Sequence, residues 1–72
     1  MPVPQHRRIL GESIRAFRKG AELSQEKLAE RADLSTVFIS NVERGKDTIS
    51  VDALARIAKA LGVSLRDFFQ EG

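Results

Sequence analysis

The chain of 72 residues contains no cysteine, no tryptophan, no tyrosine and only one histidine. Without cysteine it can form neither a disulfide framework nor a thiolate metal site. No apolar run approaches the roughly 20 residues of a membrane-spanning helix, and no signal-peptide pattern opens the chain. We therefore expect a single domain in a reducing compartment, with no membrane, metal ion, cofactor or small-molecule ligand among its partners.

The sequence also lacks the residue clusters that catalysis requires. It has no second histidine, no glycine-rich phosphate loop and no group of residues with metal-ligand spacing. Its carboxylates mostly fall on the outer faces or at the starts of predicted helices. We predict that the protein is not an enzyme.

Four serines share one sequence context that marks helix starts. Each follows an apolar residue and precedes another apolar residue by four positions, which is the pattern of an N-cap with a hydrophobic staple. These serines are Ser24, Ser35, Ser50 and Ser64. Helices are predicted to follow them at residues 25–32, 36–44, 51–61 and 65–69 or 70. Helix stops are expected at Gly45 and Gly62.

An amphipathic stripe predicts one more helix, which starts at about residue 5 or 6 and runs to residue 19, with Gly20 as its stop. Residues 1–6 contain both prolines of the chain and are expected to form a flexible arm, in which His6 is solvated. The sequence thus predicts an all-α, compact five-helix domain over residues 7–70. A chain this short buries only about 60% of its unfolded surface, and dimerisation is a common source of added stability.

The second and third predicted helices are joined by almost no linker, which is typical of a helix-turn-helix. On the third helix, Ile39 and Val42 face one side, three residues apart. The other side carries no carboxylate and is formed by Thr36, Val37, Ser40, Asn41 and Arg44. A helix with a narrow apolar stripe and an acid-free outer face suits insertion beside a polyanion.

Residues 23–45 resemble the helix-turn-helix of the Cro/repressor-type regulators, the xenobiotic-response-element family. The matching residues are Leu23-Ser24-Gln25, Leu28-Ala29, Ala32, Leu34-Ser35, Ile39-Ser40, Val42-Glu43 and Gly45. A second match runs from Leu54 to Leu65, so that the likeness spans roughly residues 10–69. One departure is Asp33, where the family usually has glycine. We expect the turn to survive, because Asp tolerates the left-handed region better than most residues.

The resemblance implies a sequence-specific, double-stranded-DNA-binding transcriptional regulator with its third helix in the major groove. It further implies an ion pair between Arg18 and Glu43 that leaves Arg18 near a phosphate, and a backbone contact by Gln25. By the same alignment, the base-reading residues are Thr36, Val37, Ser40 and Asn41. The family also implies a prokaryotic or phage-encoded protein of the cytoplasm, associated with the nucleoid.

Other positions are predicted from the residues themselves. Ser35, Arg44 and Lys46 would flank the groove and contact phosphates, although Lys46 also fits a solvated loop lysine. Val37 has no intramolecular reason to lie opposite the core stripe, but isolated exposed apolar residues are common. Asn41 can pair with adenine through both amide atoms.

The fifth predicted helix is more apolar than five residues need for one core face. We assign Leu65, Phe68 and Phe69 to a homodimer interface, with one aromatic closing the core and the other meeting a twofold partner. Packing in the core alone remains an alternative. A symmetric dimer would place two reading helices ~34 Å apart on a pseudo-palindromic operator.

A different class of function also stays open at this point. The domain could be a protein-interaction module or an antitoxin-like regulator whose main partner is another protein. The short chain has almost no segment outside the domain for such a partner, and resembles more closely the compact controller proteins of restriction–modification systems. Fold resemblance alone does not decide between these roles.

Overall fold

The structure, a computed structural model, describes residues 5–69. These residues form four α-helices and one 3₁₀ helix: α1 (Gln5–Gly20), α2 (Gln25–Ala32), α3 (Thr36–Glu43), α4 (Val51–Leu61) and the 3₁₀ helix (Leu65–Phe69). The predicted all-α class is confirmed. The fifth helix is 3₁₀ rather than α, because a segment of five residues forms little more than one turn, for which the tighter i to i+3 pattern is common.

Three serine caps form as predicted. The hydroxyl of Ser24 accepts the backbone N–H of Lys27 at 3.0 Å; Ser35 and Ser50 make the equivalent bonds to Phe38 and Ala53 at 3.0 and 3.1 Å. Ser64 makes a different hydrogen bond: its backbone N–H donates to the Asp67 carboxylate at 2.9 Å. Asp67 thus supplies the reciprocal half of a capping box.

All four α-helices end in the same turn, in which a residue with positive φ lets the next N–H reach back to a carbonyl of the last helical turn. The residues with positive φ are Glu22 (60°), Asp33 (56°), Gly45 (72°) and Gly62 (73°). The left-handed conformation expected at Asp33 is confirmed. The predicted stop at Gly20 is wrong by two residues: Gly20 is still helical, and Glu22 makes the turn.

Two predicted boundaries also change. Helix α3 ends at Glu43, with Arg44 as its C-cap residue rather than its last residue. Helix α1 begins at Gln5, as predicted, but the predicted end of the arm changes because its last two residues are helical and exposed. The rest of the arm, residues 1–4, and Gln70 lie outside the described residues.

One apolar core holds the helices together. Its largest fully buried side chains are Ile14, Leu28, Ile39, Ile57 and Phe68, so that each helix contributes one. Phe68 is edge-on to Phe17, with ring centroids 5.7 Å apart, an arrangement that aromatic pairs favour. Within residues 5–69 no helix is both long and apolar enough to cross a bilayer.

Helix α1 approaches the end of α3 at Gly11. A Cβ placed on Gly11 would lie 2.4 Å from the carbonyl oxygen of Val42 and 2.7 Å from that of Glu43. Any larger residue would therefore push the two helices apart. This close approach sets the position of α3 relative to α1.

Candidate nucleic-acid interface

Helix α3 presents two distinct faces. Ile39 and Val42 are fully or almost fully buried in the core, and Phe38 packs partly against it. On the opposite side Val37 is 70% exposed. Thr36, Ser40 and Asn41 are partly exposed and Arg44 is exposed. All the predicted base-reading side chains thus reach the surface along one side of α3.

The only carboxylate of α3 belongs to Glu43, and it is buried. The Arg18 guanidinium donates from Nε to Glu43 Oε2 at 2.6 Å and from Nη2 to Glu43 Oε1 at 3.0 Å. The predicted ion pair is therefore present, and it is bidentate. Because Glu43 is compensated by Arg18, the outer face of α3 carries no uncompensated negative charge.

The hydrogen bonds to Glu43 raise the pKa of Arg18 above its usual value, and burial of the guanidinium offsets part of that rise. Glu26, in the first turn of α2, adds a smaller electrostatic contribution in the same direction as Glu43. Arg18 is thus charged at any pH at which the protein would be studied.

The predicted phosphate contact of Arg18 does not fit its environment. Arg18 is 9% exposed, and Nη1 donates to the carbonyl oxygen of Leu23 at 2.8 Å. All three nitrogens of the guanidinium thus have protein acceptors. Arg18 joins α1, the α1–α2 turn and α3, and its role in this structure is to position those elements.

Gln25 connects the start of α2 to the same pair. Its Nε2 donates to Glu43 Oε1 at 3.1 Å. This bond uses one of the two amide hydrogens and leaves the side chain partly exposed. Gln25 and Arg44, both predicted to contact phosphates, line one cleft, so the structure brings them to the same side of the molecule.

Arg44 and Asn41 contact each other on the exposed side of α3. Arg44 Nη2 donates to Asn41 Oδ1 at 3.1 Å. The carbonyl end of the Asn41 amide is thereby engaged, and its two N–H donors point elsewhere. Lys46 lies two residues after Arg44 in the sequence, and it is also exposed.

The predicted dimer surface is only partly available. Phe68 has no exposed area, so its assignment to an interface is wrong; this aromatic closes the core against Phe17. Leu65 is half-buried against the core, whereas Phe69 is 61% exposed. Among residues 5–69, the large apolar residues that are exposed are Ile9, Val37, Val51 and Phe69.

One residue of the interface region was missed. Arg15 is not among the predicted site residues, yet it is exposed and lines the same cleft as Gln25 and Arg44. Arg15 precedes Arg18 by three residues, so the two share a face of α1. That spacing was the available signal, but spacing on one helix does not show which other helices border the face.

Comparisons with known proteins agree with this geometry. The sequence model of the family described as Helix-turn-helix matches residues 14–68. Control protein C.BamHI of Bacillus amyloliquefaciens is 42% identical over 62 residues, covering 85% of this chain and 76% of that protein. Control protein C.SmaI of Serratia marcescens is 40% identical over 57 residues, covering 79% and 68% of the two chains. The crystal structure of the restriction-modification controller protein C.AhdI from Aeromonas hydrophila superposes with a TM-score of 0.90 at 30% identity, covering 92% of this chain and 100% of that one.

The fold and the exposed, acid-free outer face of α3 define a DNA-binding helix-turn-helix domain. The chain belongs to the Helix-turn-helix family. The predicted resemblance to Cro/repressor-type regulators is thereby confirmed, and the protein is a sequence-specific DNA-binding transcriptional regulator.

Proposed function

We propose that two copies of this chain bind a pseudo-palindromic duplex operator, each with α3 in the major groove. The observation that carries the proposal is the outer face of α3, which is exposed, free of uncompensated carboxylate and topped by Val37 at 70% exposure. A negative charge on that face would be repelled by the DNA phosphates. A twofold arrangement would set the two reading helices about one helical turn of DNA apart.

Thr36, Val37 and Asn41 are the proposed base readers. The Val37 side chain and the Thr36 methyl group suit contact with the methyl group of thymine. The Asn41 amide is held by Arg44 through its oxygen, and its N–H donors would be used to contact an acceptor such as N7 of a purine. Ser40 was predicted with this group, and its role is refined below.

Gln25, Ser35, Arg44 and Lys46 are the proposed phosphate contacts. Gln25 is oriented by Glu43, so its remaining amide hydrogen is held in place before DNA arrives. Ser35 accepts a backbone N–H in its capping role, and its own hydroxyl hydrogen stays available to donate. Such contacts fix the register of the protein on the duplex without reading sequence.

Phe69, with Leu65 beside it, is the proposed centre of the homodimer interface. In sedimentation at micromolar concentration, the wild-type chain should run at twice the 8.0 kDa of one chain. Phe69→Ser should shift it toward monomer while leaving the fold intact. Val37→Ser, which removes a comparably exposed apolar side chain from α3, is the matched control and should remain dimeric. A Phe69→Ser variant that stays fully dimeric would contradict this interface.

The relatives suggest a biological setting. Because control proteins of restriction–modification systems cover most of this chain at 40% identity or more, we propose that it controls transcription of such a system in a bacterium. It would act by binding rather than by catalysis, in the compartment that holds the chromosome.

The test is selection of bound sites from a pool of random duplexes. The expected product is one enriched site with twofold symmetry. Asn41→Ala and Val37→Ala should each change the preferred bases at symmetric positions. If both variants enrich the wild-type site unchanged, the reader assignment is wrong. If the wild-type chain enriches no duplex, the protein-interaction alternative is favoured.

A further inference from the structure

A cleft opens between α1, the start of α2 and the outer flank of α3. It is lined by Arg15, Arg18, Gln25, Ser40, Glu43 and Arg44. Its buried part is the Arg18–Glu43 pair, with these residues 9% and 7% exposed. The charges of this pair cancel, so the charge of the cleft is set by its other members.

The rim of the cleft is cationic. Arg15 enters from α1 and Arg44 from the end of α3, and both are exposed. The ion pairs within residues 5–69 are Arg8–Glu12, Arg18–Glu43 and Lys27–Glu30, so neither rim arginine takes part in one there. With the buried pair neutral, the cleft has two positive charges and no opposing carboxylate that is uncompensated.

The polar groups of the cleft are donors. Both oxygens of Glu43 already accept hydrogen bonds, from Arg18 and from Gln25. The remaining groups are one Gln25 amide hydrogen, the Ser40 hydroxyl and the unused N–H groups of the two rim arginines. Two positive charges with several convergent donors match a single phosphate group, which offers only acceptor oxygens.

Ser40 belongs to this cleft because of its position on α3. At 100° per residue, Ser40 and Glu43 lie 60° apart on the flank that faces α1, whereas Asn41 lies 100° further around, away from that flank. Ser40 therefore borders the cleft while Asn41 does not line it. A phosphate bound here would lie beside the reading face.

The proposed function already gives Gln25 and Arg44 as contacts to the DNA backbone, and this cleft, the phosphate seat, is the place where they would meet one phosphate. We infer that Arg15 is a further DNA-contacting residue at this seat, and that Ser40 contacts its phosphate rather than a base. The inference rests on the proposed binding of α3 in the major groove. Arg44, held by Asn41 on one side and bordering the seat on the other, would link the phosphate contact to the base-reading amide.

The experiment compares Arg15→Gln with Arg56→Gln. Both remove one exposed positive charge, but Arg56 lies on α4 and does not line this cleft. Binding is measured against salt concentration on the selected duplex and on an unrelated duplex. For Arg15→Gln we expect a similar loss of affinity on both duplexes, and a slope of log K against log salt smaller by about one unit per bound protomer. Arg56→Gln should keep the wild-type slope.

Ser40→Ala gives an independent measure. It should weaken binding by a similar factor on both duplexes and enrich the same site as wild type, unlike Asn41→Ala. Titration of the DNA-free protein with inorganic phosphate, followed at the Arg15 side-chain N–H by NMR, separates two sources of the phosphate. If phosphate shifts the Arg15 resonance and Ser40→Ala weakens that shift, the seat also binds free phosphate. If phosphate causes no shift but Arg15→Gln still lowers the salt slope, the seat binds only the phosphate of the DNA backbone.

The seat is refuted if Arg15→Gln keeps the wild-type salt slope, or if Ser40→Ala changes the selected sequence. These results differ from failure of the proposed function, in which the wild-type chain itself would enrich no duplex. Circular dichroism of each variant confirms that the fold is retained, as expected for substitutions at exposed or partly exposed positions.

Discussion

Removal of the Glu43 carboxylate should destabilise the fold more than any change on its surface. Glu43 accepts three hydrogen bonds, two from Arg18 and one from Gln25. In Glu43→Ala the Arg18 guanidinium, with 11% of its side chain exposed, would be left charged without its counterion. Loss of one partner of a buried pair costs about 3–5 kcal/mol. A 72-residue domain has a total stability of roughly 4–11 kcal/mol, so the variant should be partly or largely unfolded at room temperature.

The measurement is urea unfolding followed by far-ultraviolet circular dichroism, at one fixed protein concentration because dimerisation would add to the apparent stability. A double-mutant cycle supplies the internal control: Arg18→Met with Glu43→Leu should be more stable than either single variant, since no charge is then left buried alone. A cost below about 1 kcal/mol for Glu43→Ala would mean that the pair behaves like a surface ion pair, and would refute its proposed role in joining α1 to α3.

Three further predictions use the same unfolding assay. Gly11→Ala should lower the free energy of unfolding by about 1–3 kcal/mol, because its Cβ would overlap the Val42 carbonyl. Gly20→Ala is the control and should leave stability unchanged, because its Cβ meets nothing within 4 Å. Equal effects of the two substitutions would contradict the close approach of α1 and α3. Asp33→Val should lose more than about 1 kcal/mol because φ is 56° and a branched side chain resists that region, while Asp33→Gly should retain stability. Ser50→Ala should cost about 1 kcal/mol as a lost cap, and an unchanged midpoint would show that this cap contributes little.

The helix boundaries were predictable where the start and stop signals are both local. Helices α2 and α4 begin after a serine cap and run to the predicted last residues. The end of α1 was not predictable in this way, because the residue that adopts positive φ there is Glu22. A glutamate in that conformation has no sequence signature. With Glu22 in this conformation, the backbone N–H of Leu23 donates to the carbonyl oxygen of Arg18 at 3.1 Å and closes the turn.

The site was predictable as a surface but not as a set of contacts. The face of α3 follows from helical spacing, and the Arg18–Glu43 pair came from the resemblance. Burial of the Arg18 guanidinium depends on three elements meeting, which no local pattern shows. Phe68 and Phe69 are adjacent and chemically identical, and the contact between the Phe68 and Phe17 rings shows which of the two closes the core.

The central claim is that the outer face of α3 contacts DNA. The most direct measurement is the change in backbone amide chemical shifts when the selected duplex is added to isotopically labelled protein. The largest changes should fall in residues 24–27 and 35–46, with residues 53–61 of α4 nearly unchanged. Changes concentrated in α4 or the 3₁₀ helix, with α3 unaffected, would contradict the claim.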